Sequence, residues 1–520
     1  MSLNENGQGK PEGDDKFGFQ SPFIEDAPVF EEEKDLKRGL KQRHIQMIAL
    51  AGTIGTGLFL GSGRALAAAG PLGLVLGYLL TGVLVSGVVM SIAELTALVP
   101  LTGSYVRHAE VFFDPALSFA IGWNTVYSGC VSIPAEITAA AVLISFWTTS
   151  VSNAVWITIM AILIIGTNVF FIRLYGELEF TFAILKISLI VGLIIMGLCI
   201  DLGGVAGQHR LGFEYWRNPG LFVQDLGIPG SLGRFLGFWT VFSNAAYAYS
   251  SIETFAAAAA ETQNPRQNIP KAAKRVFARV LLFYVLSVLI ISMIVPSNSA
   301  TLANKTGNAA ESPFVIAARL AGIKGTTRVL YGLANESHAP KLFLFTNRFG
   351  IPYVCVLFVS LFMPLAYMSL QSSASTVFGW FQDLVAANTL VTWITICLIY
   401  LRFYYGCKRQ GINRKTELPW ASVFQPYAAW IGFLGFSLIL LTGGFSVFLR
   451  GRWDTETFFS SYFNIPLIFG LYFGYKVVRG TRVVGLDEMP IRHYINIANQ
   501  NPEKKEPKAR GWRRLNVLWW

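Results

Sequence analysis

The chain has 520 residues, of which 53% are apolar or aromatic and only 14% are charged, whereas about a quarter of residues are charged in ordinary soluble domains. Long stretches contain no charge at all, so the composition disfavours a soluble enzyme and favours a membrane protein. The net charge of +11 does not indicate nucleic acid binding, because the basic residues lie between apolar blocks instead of forming one basic face with interleaved aromatics.

Other classes lose support from specific motifs. The five cysteines contain no CxxC pair, so neither a disulfide framework nor a zinc site is predicted. The polar segment from Met1 to Arg43 has no short apolar core with a cleavage site, which argues against a removable signal peptide. No lysine-bearing phosphate loop follows Gly55–Gly57, so ATP-driven pumping and a bound cofactor are not expected.

Eleven apolar runs approach the length of about 20 residues that crosses a hydrocarbon core of about 30 Å. They lie at approximately 45–63, 72–99, 116–147, 154–172, 180–200, 235–260, 276–295, 353–370, 377–401, 427–449 and 458–477. Because the runs do not alternate, they predict helices and not a barrel. The chain is therefore predicted to be an all-α polytopic membrane protein, with a transmembrane domain at 45–477 between tails at 1–44 and 478–520.

The distribution of Lys and Arg gives the orientation. Basic residues before the first span and after the last predict that both tails are cytoplasmic. The basic residues from Lys324 to Arg348 should also be cytoplasmic, yet eleven crossings leave the count one short between Pro296 and Arg328. Either Pro313–Ile323 half-enters the membrane or the chain lacks a helix there.

The first run, MIALAGTIGTGLFLGSG from Met47 to Gly63, is rich in glycine. Each glycine costs a helix about 1 kcal/mol relative to alanine, so a break is predicted near Thr53–Gly57. The free N–H groups of a broken helix suit an anion such as a carboxylate. A glycine-rich face for close helix packing is the competing interpretation.

The sixth run carries the companion feature. Ser250, Ser251 and Glu253 place polar groups in the middle of an apolar segment, five spans after the first break. Two interrupted spans in corresponding positions of two halves predict an inverted-repeat transporter with its site at mid-membrane. Tyr247 is a candidate aromatic lid over a small substrate, although ordinary packing would also explain one aromatic residue.

Four ionisable residues, Glu136, Lys186, Glu253 and Asp383, lie inside apolar runs, where an ionised group costs at least about 2.5–3.5 kcal/mol. A lysine that exchanges its proton can take the place of a bound cation, which makes Lys186 the most informative of them. The alternative for Lys186 is an ion pair with Glu136 or Glu253. Glu94, near the end of a span, is expected to cap or pair at the interface.

Several long motifs carry a family resemblance. They include LKRGLKQRHIQMIALAGTIGTGLFLGSG, ELTALVPLTGSYVRHAEVFFDPALSFAIGWN, IPAEITAAAVLISFW, IRLYGELEFTFAILKISLIVGLIIMG, ETQNPRQNIPKA and RVLYGLANESHAPKLFLFTNRFGIPYV. On these motifs the chain resembles the fungal amino acid permeases of the amino acid–polyamine–organocation superfamily, over about residues 36 to 495.

The resemblance implies twelve helices, the first ten in two inverted five-helix repeats with broken helices one and six. It implies import of amino acids with protons across the plasma membrane, with no enzymatic activity, and cytoplasmic tails that are candidates to bind trafficking or ubiquitination machinery. By residue, Gly55, Thr56 and Gly57 would hold the substrate carboxylate. Backbone carbonyls near Tyr247 and Ser250 would hold its ammonium, with Tyr247 as the gate. Glu136, Lys186 and Glu253 match family positions in helices three, five and six, and are predicted to serve site electrostatics and proton coupling.

The chain departs from the family pattern at two places. Ser251-Ile252-Glu253 replaces the usual Gly-Thr-Glu of helix six, so a Cβ at 251 should stiffen the break and narrow the pocket. Between Lys324 and Thr326 the family's eighth helix is absent, which leaves eleven of twelve helices and agrees with the charge count. A non-transporting amino acid sensor or an inactive truncated permease is therefore the alternative function, and a membrane enzyme has no supporting cluster.

We expect genomic DNA next to the codons for Lys324–Thr326 to encode an in-frame apolar segment of about 20 residues, enough for one crossing. Sequencing the locus and its transcripts checks this. Uninterrupted coding sequence at that position would contradict the loss of an exon. A chain without this helix leaves neighbouring helices with unfilled packing and polar groups, so microscopy of the 520-residue form should reveal retention inside the cell.

Overall fold

The computed structural model describes residues 57–101, 103–147, 150–170, 172–203, 210–257, 262, 264–298, 353–370 and 374–503. The regular elements in these ranges are helices and helical turns. Gly55 and Thr56 of the predicted first break lie outside the described residues, and so does the half-span candidate Pro313–Ile323.

The helices follow the predicted spans closely. Apart from single helical turns in loops at Glu214–Arg217 and Arg414–Glu417, they are α1 (Ser62–Leu98), α2 (Tyr105–Phe112), α3 (Pro115–Trp147), α4 (Asn153–Phe170), α5 (Ile172–Asp201), α6 (Gly230–Ala248), α7 (Thr254–Ala257), α8 (Pro265–Ile294), α9 (Tyr353–Ser360), α10 (Ala374–Arg409), α11 (Tyr427–Thr442), α12 (Thr455–Tyr462), α13 (Asn464–Arg479) and α14 (Ile491–Gln500). Short helical turns at Met363–Leu370 and Phe445–Phe448 extend the spans of α9 and α11.

Three of these segments, Ser62–Leu98, Pro265–Ile294 and Thr376–Arg409, are long and apolar enough to cross a membrane. Large apolar side chains also face outward from the bundle, as with Ile162 at 64% exposure and Leu282 at 60%. Exposed aliphatic surface of this kind suits lipid and not water.

The helix α1 bends at Gly70, between the end of the first predicted span and the start of the second. The Gly70 backbone has φ 78° and ψ 174°, and Pro71 follows it, so the first span ends at the corner and the second begins there. The corner is covered by a loop, because Leu72 N–H donates to the Leu221 carbonyl at 3.1 Å and Val223 N–H donates to the Ala69 carbonyl at 3.2 Å. A π-helical turn, Gly57–Gly61, leads into α1 from the other end.

The sixth span is broken, as predicted. The helix α6 ends at Ala248 and α7 begins at Thr254, and the segment between them contains Ser251 at φ 65°. This left-handed backbone is one that glycine adopts without strain and serine does not. The departure Ser251-Ile252-Glu253 therefore falls at the most constrained point of the break.

Helix packing surrounds the break of the sixth span, because α1, α8 and α10 lie against its two halves or against each other. The α1 segment packs against α6 and α8, whereas α10 packs against α3, α11 and α6. Between α3 and α10, the side-chain amide of Asn388 donates to the Asn124 carbonyl at 2.8 Å. Both residues are buried, so this bond fixes α10 on α3 beside the broken segment.

Glu94, at the end of α1, pairs as predicted for a residue at the interface. Its fully buried carboxylate receives the guanidinium of Arg414 at 2.6 Å, the hydroxyl of Tyr400 at 3.0 Å and the N–H of Ser422 at 2.9 Å. A buried charge satisfied on several sides is stable only while all partners are present. The cluster therefore ties α1 to α10 and the loop before α11.

The C-terminal segment 482–503 lies across one end of the bundle. Val484 N–H donates to the Phe113 carbonyl at 2.8 Å, and α14 buries Ile491 and Tyr494. The Glu503 carboxylate then accepts from the backbone N–H groups of Arg266 at 2.8 Å and Gln267 at 3.1 Å. Since these are the first residues of α8, Glu503 caps that helix at its positive end.

Gly70→Ala should destabilise the protein more than a comparable substitution elsewhere. A Cβ at Gly70 would lie 2.9 Å from the Leu221 carbonyl oxygen and 2.9 Å from the Phe222 Cα, in addition to the backbone strain of about 1–2 kcal/mol. Gly451 has φ +76° but nothing within 4 Å, so Gly451→Ala carries the strain alone.

Thermal unfolding of the detergent-solubilised protein compares the two variants. We expect Gly70→Ala to lower the free energy of unfolding by about 1–3 kcal/mol beyond Gly451→Ala, the usual range for overpacking. Equal losses would indicate that the corner between the first two spans has room to adjust.

Candidate substrate and proton-coupling site

Gly57, the first described residue before α1, lies against the end of α6, where the sixth span breaks. An ideal Cβ on this residue would lie 2.6 Å from the Ala248 Cα and 2.8 Å from Tyr247 Cδ1. No side chain fits between backbones that approach so closely. The structure therefore brings together Gly57 and Tyr247, two of the residues predicted from the sequence, with Ser250 one turn further along the break.

Three buried tyrosines satisfy backbone carbonyls around this contact. The hydroxyl of Tyr78 donates to the Gly57 carbonyl at 3.4 Å, that of Tyr284 to the Ala248 carbonyl at 2.7 Å, and that of Tyr249 to the Tyr78 carbonyl at 3.2 Å. The rings of Tyr249 and Tyr284 stack with centroids 4.7 Å apart. The tyrosines thus hold the ends of the broken helices at fixed positions.

On the Gly61 side of the break, polar and aromatic groups of α1, α6 and α10 converge. Gln382 donates an amide N–H to Asn244 Oδ1 at 2.5 Å, and a Cβ at Gly61 would lie within 3.6 Å of both amides.

Arg64 of α1 lies beside two residues of α10. Its guanidinium lies 5.8 Å from the centre of the Phe378 ring and interacts electrostatically with Asp383. Phe378 in turn meets the ring of Tyr247 edge-on at 6.1 Å.

On the opposite side, Glu253 ends the break. Its side chain is 9% exposed, and its Oε2 accepts a hydrogen bond of 3.1 Å from the indole N–H of Trp393 on α10. Tyr105 of α2 faces the same carboxylate electrostatically, and its hydroxyl lies 3.1 Å from Thr125 Oγ1. Burial raises the pKa of the Tyr105 phenol, and the negative charge of Glu253 raises it further. This group therefore stays neutral at physiological pH.

Two other predicted residues lie on neighbouring spans. Lys186 on α5 is 3% exposed, and Glu136 on α3 is half-buried with one carboxylate oxygen inaccessible to water. Ionisable groups buried at this depth in a membrane bundle are costly and mark functional positions by default. Both therefore stay candidates for site electrostatics and coupling.

Sequence reasoning did not identify Trp393, Tyr78 or Tyr284. Each is an aromatic residue inside an apolar run, where packing is the ordinary interpretation. The available signal was weak: an amphipathic aromatic residue deep in a span needs a partner for its N–H or O–H group. That requirement applies equally to the other tryptophans and tyrosines in the spans.

The arrangement defines a class of protein. A discontinuous helix whose break packs on the glycine-rich turn before α1, with a buried carboxylate at its end, is typical of an inverted-repeat transporter. Solved manganese transporter structures from Eremococcus coleocola share this fold. One aligns with TM-score 0.56 and 10% identity over 87% of this chain and 95% of its own, and another with TM-score 0.53 and 11% identity over the same shares. At this identity the likeness establishes the fold alone.

Sequence comparison narrows the class to a family. The profile of the family described as amino acid permease matches residues 44–327 and 321–486. A proline-specific permease of Emericella nidulans is 36% identical over 97% of this chain and 96% of its own length. A dicarboxylic amino acid permease of Saccharomyces cerevisiae is 34% identical over 92% of this chain and 83% of its own length. A lysine-specific permease of the same yeast is 34% identical over 87% of this chain and 77% of its own length. The chain belongs to the amino acid permease family and is a multi-pass membrane transporter, not an enzyme.

The family profile matches in two parts that meet at 321–327. The prediction of an absent helix falls at the same point, between Lys324 and Thr326. The absence of a helix there stays a prediction.

Gly57→Ala should disrupt the contact between the breaks. The added methyl group meets backbone atoms of Ala248, which yield less than a flexible side chain, so a cost of about 1–3 kcal/mol is expected. Gly470 of α13 has nothing within 4 Å, so Gly470→Ala is the matched control. Thermal unfolding and ligand-induced stabilisation measure the effect, and a Gly57→Ala protein as stable as Gly470→Ala would contradict the close approach.

Proposed function

We propose that this protein imports amino acids together with protons across the plasma membrane, with both termini in the cytoplasm. The observation that carries the proposal is the close approach of Gly57, at the end of the predicted first break, to Ala248, where the sixth span breaks. An α-amino acid carries one anionic and one cationic group on the same carbon atom. Two helix breaks at mid-membrane offer backbone N–H groups to the first and carbonyls to the second.

The carboxylate is assigned to the break of the first helix, at Gly55, Thr56 and Gly57. The ammonium is assigned to carbonyls near Tyr247 and Ser250. One of these is already engaged, because Ser250 N–H donates to the Tyr247 carbonyl at 3.2 Å. A carbonyl oxygen has two lone pairs, so that bond leaves capacity for a substrate ammonium. Tyr247, 6% exposed, is assigned the role of lid.

Proton coupling is assigned to Glu253 and Lys186, with Glu136 contributing to the electrostatics of the substrate site. Glu253 supports this role by its place at the end of the break, where α6 gives way to α7. A carboxylate there changes charge next to the bound substrate. A lysine buried on a neighbouring span can carry the positive charge that a metal cation carries in other transporters.

The alternative function is that of a non-transporting amino acid sensor or an inactive truncated permease. One observation supports it, the division of the family match into two parts at 321–327. A chain without one helix of the second repeat retains the described contact between the breaks and so can bind an amino acid. It lacks part of the structure against which the broken helices move.

Uptake assays separate these functions. The 520-residue chain and a form with the family's eighth transmembrane helix inserted between Lys324 and Thr326 are expressed in cells that lack their own permeases. Uptake of proline, glutamate and lysine is then measured at several external pH values. We expect accumulation by the restored form at acidic pH. Absence of uptake by both forms, with amino acid binding intact, would favour the sensor.

Glu253→Gln tests the coupling. A gradient of one pH unit supports about a tenfold concentration ratio when one proton accompanies each substrate, so this variant should lose about tenfold accumulation at that gradient while retaining exchange. Asp487→Asn is the control, since Asp487 lies on the surface in an exposed pair with Arg409. Accumulation by Glu253→Gln that still follows the pH gradient would contradict the assignment.

A further inference from the structure

The side chain of Trp393 links α10 to the broken segment of the sixth span. It is fully buried on α10, and its indole N–H donates to Glu253 Oε2 at 3.1 Å. An indole has one donor and no acceptor. The hydrogen bond therefore depends on the charge of its partner, because a bond to an ionised carboxylate is roughly twice as strong as one to a neutral group.

The indole is fixed from two directions. Its ring packs against Phe436 of α11 with centroids 4.9 Å apart. One turn away, Asn388 binds the Asn124 carbonyl of α3, which holds this part of α10 in place. The donor thus belongs to the group of α3, α10 and α11.

Glu253 belongs to the broken segment and is aimed by its backbone. The left-handed conformation of Ser251 turns the chain, and the Thr254 hydroxyl donates to the Ser251 carbonyl at 2.7 Å. This turn presents the carboxylate to α10. The hydrogen bond from Trp393 is accordingly a link between the break of the sixth span and the helices packed behind it.

We propose that Trp393 is a positioning residue for proton coupling: its N–H holds the ionised carboxylate of Glu253 against α10 and weakens its hold when Glu253 takes up a proton. The inference rests on the proposed function of Glu253. The proposal adds a side chain on α10, a hydrogen-bond donor without an acceptor, whose bond to Glu253 changes in strength when Glu253 gains or loses its proton. Protonation then loosens the broken segment from α10.

One ionisable group has a direct electrostatic interaction with Glu253, and others on the surrounding helices interact elsewhere. Tyr105 faces it from α2 as a neutral phenol. Glu94 on α1 is paired with Arg414, and Asp383 on α10 interacts with Arg64. Glu136 on α3 is half-buried and Lys186 on α5 is buried, so thermal unfolding is also measured in the Glu253→Gln background, in which Glu253 cannot titrate and both other residues still can.

Trp393→Phe tests the proposal, because it removes the N–H group and keeps an aromatic ring. Without the donor the ionised form of Glu253 is disfavoured, so the carboxyl keeps its proton to higher pH. We expect the external pH at which uptake is half-maximal to move upward by about one unit. An unchanged pH profile with normal uptake would overturn the proposal and leave the proposed transport function intact.

Trp239→Phe is the matched control. Trp239 of α6 also donates its indole N–H, at 2.8 Å, but to the neutral hydroxyl of Thr442 on α11. The same chemical change there removes a hydrogen bond of the bundle without touching a carboxylate. A shift of the pH profile by Trp239→Phe as large as that by Trp393→Phe would mean a general packing effect.

A second measurement does not need transport. Thermal unfolding of the solubilised 520-residue chain is recorded from pH 4.5 to 8 for the parent and both tryptophan variants, with and without Glu253→Gln. We expect the loss of melting temperature from Trp393→Phe to grow as pH rises and to become independent of pH in the Glu253→Gln background. The loss from Trp239→Phe should be constant throughout. A constant loss from Trp393→Phe would overturn the proposal even for a chain that carries no substrate.

Discussion

A helix that breaks inside a membrane leaves backbone carbonyls and N–H groups with no water to receive them, and this constraint governs the centre of the protein. Tyrosines of α1 and α8 satisfy some of these carbonyls, because their hydroxyl groups donate hydrogen bonds to the carbonyls of Gly57 and Ala248. Each unsatisfied group would cost several kcal/mol in hydrocarbon. The breaks can therefore persist only where these aromatic residues surround them, and the remaining backbone groups are available to a ligand.

The same constraint explains why glycine and not a larger residue lies where the breaks meet. Gly57 brings its backbone against Tyr247 and Ala248, so main-chain groups of the two segments lie side by side there. Under the proposed function, these groups would recognise the carboxylate and the ammonium that all amino acids share. That role is compatible with relatives named for proline, dicarboxylic amino acids and lysine.

The sequence was sufficient for the helices and for the interruption of the sixth span, because apolar runs and misplaced polar residues act locally. Gly57, Tyr247 and Glu253 were also identified, since a glycine cluster and a buried carboxylate stand out in an apolar background. The partner of Glu253 was not, because Trp393 is 140 residues away and nothing in its own segment distinguishes it from a packing residue. The corner at Gly70 was hidden for a related reason: its covering loop, 221–223, has no pattern that points to α1.

The cap that Glu503 places on α8 has a consequence for the order in which the protein is completed. Chains are synthesised from the N-terminus, and 236 residues separate Gln267 from Glu503. The first turn of α8 consequently waits for its acceptor until every later helix has been made. The cap on α8 therefore cannot form before residue 503 has been synthesised, after all the other described helices.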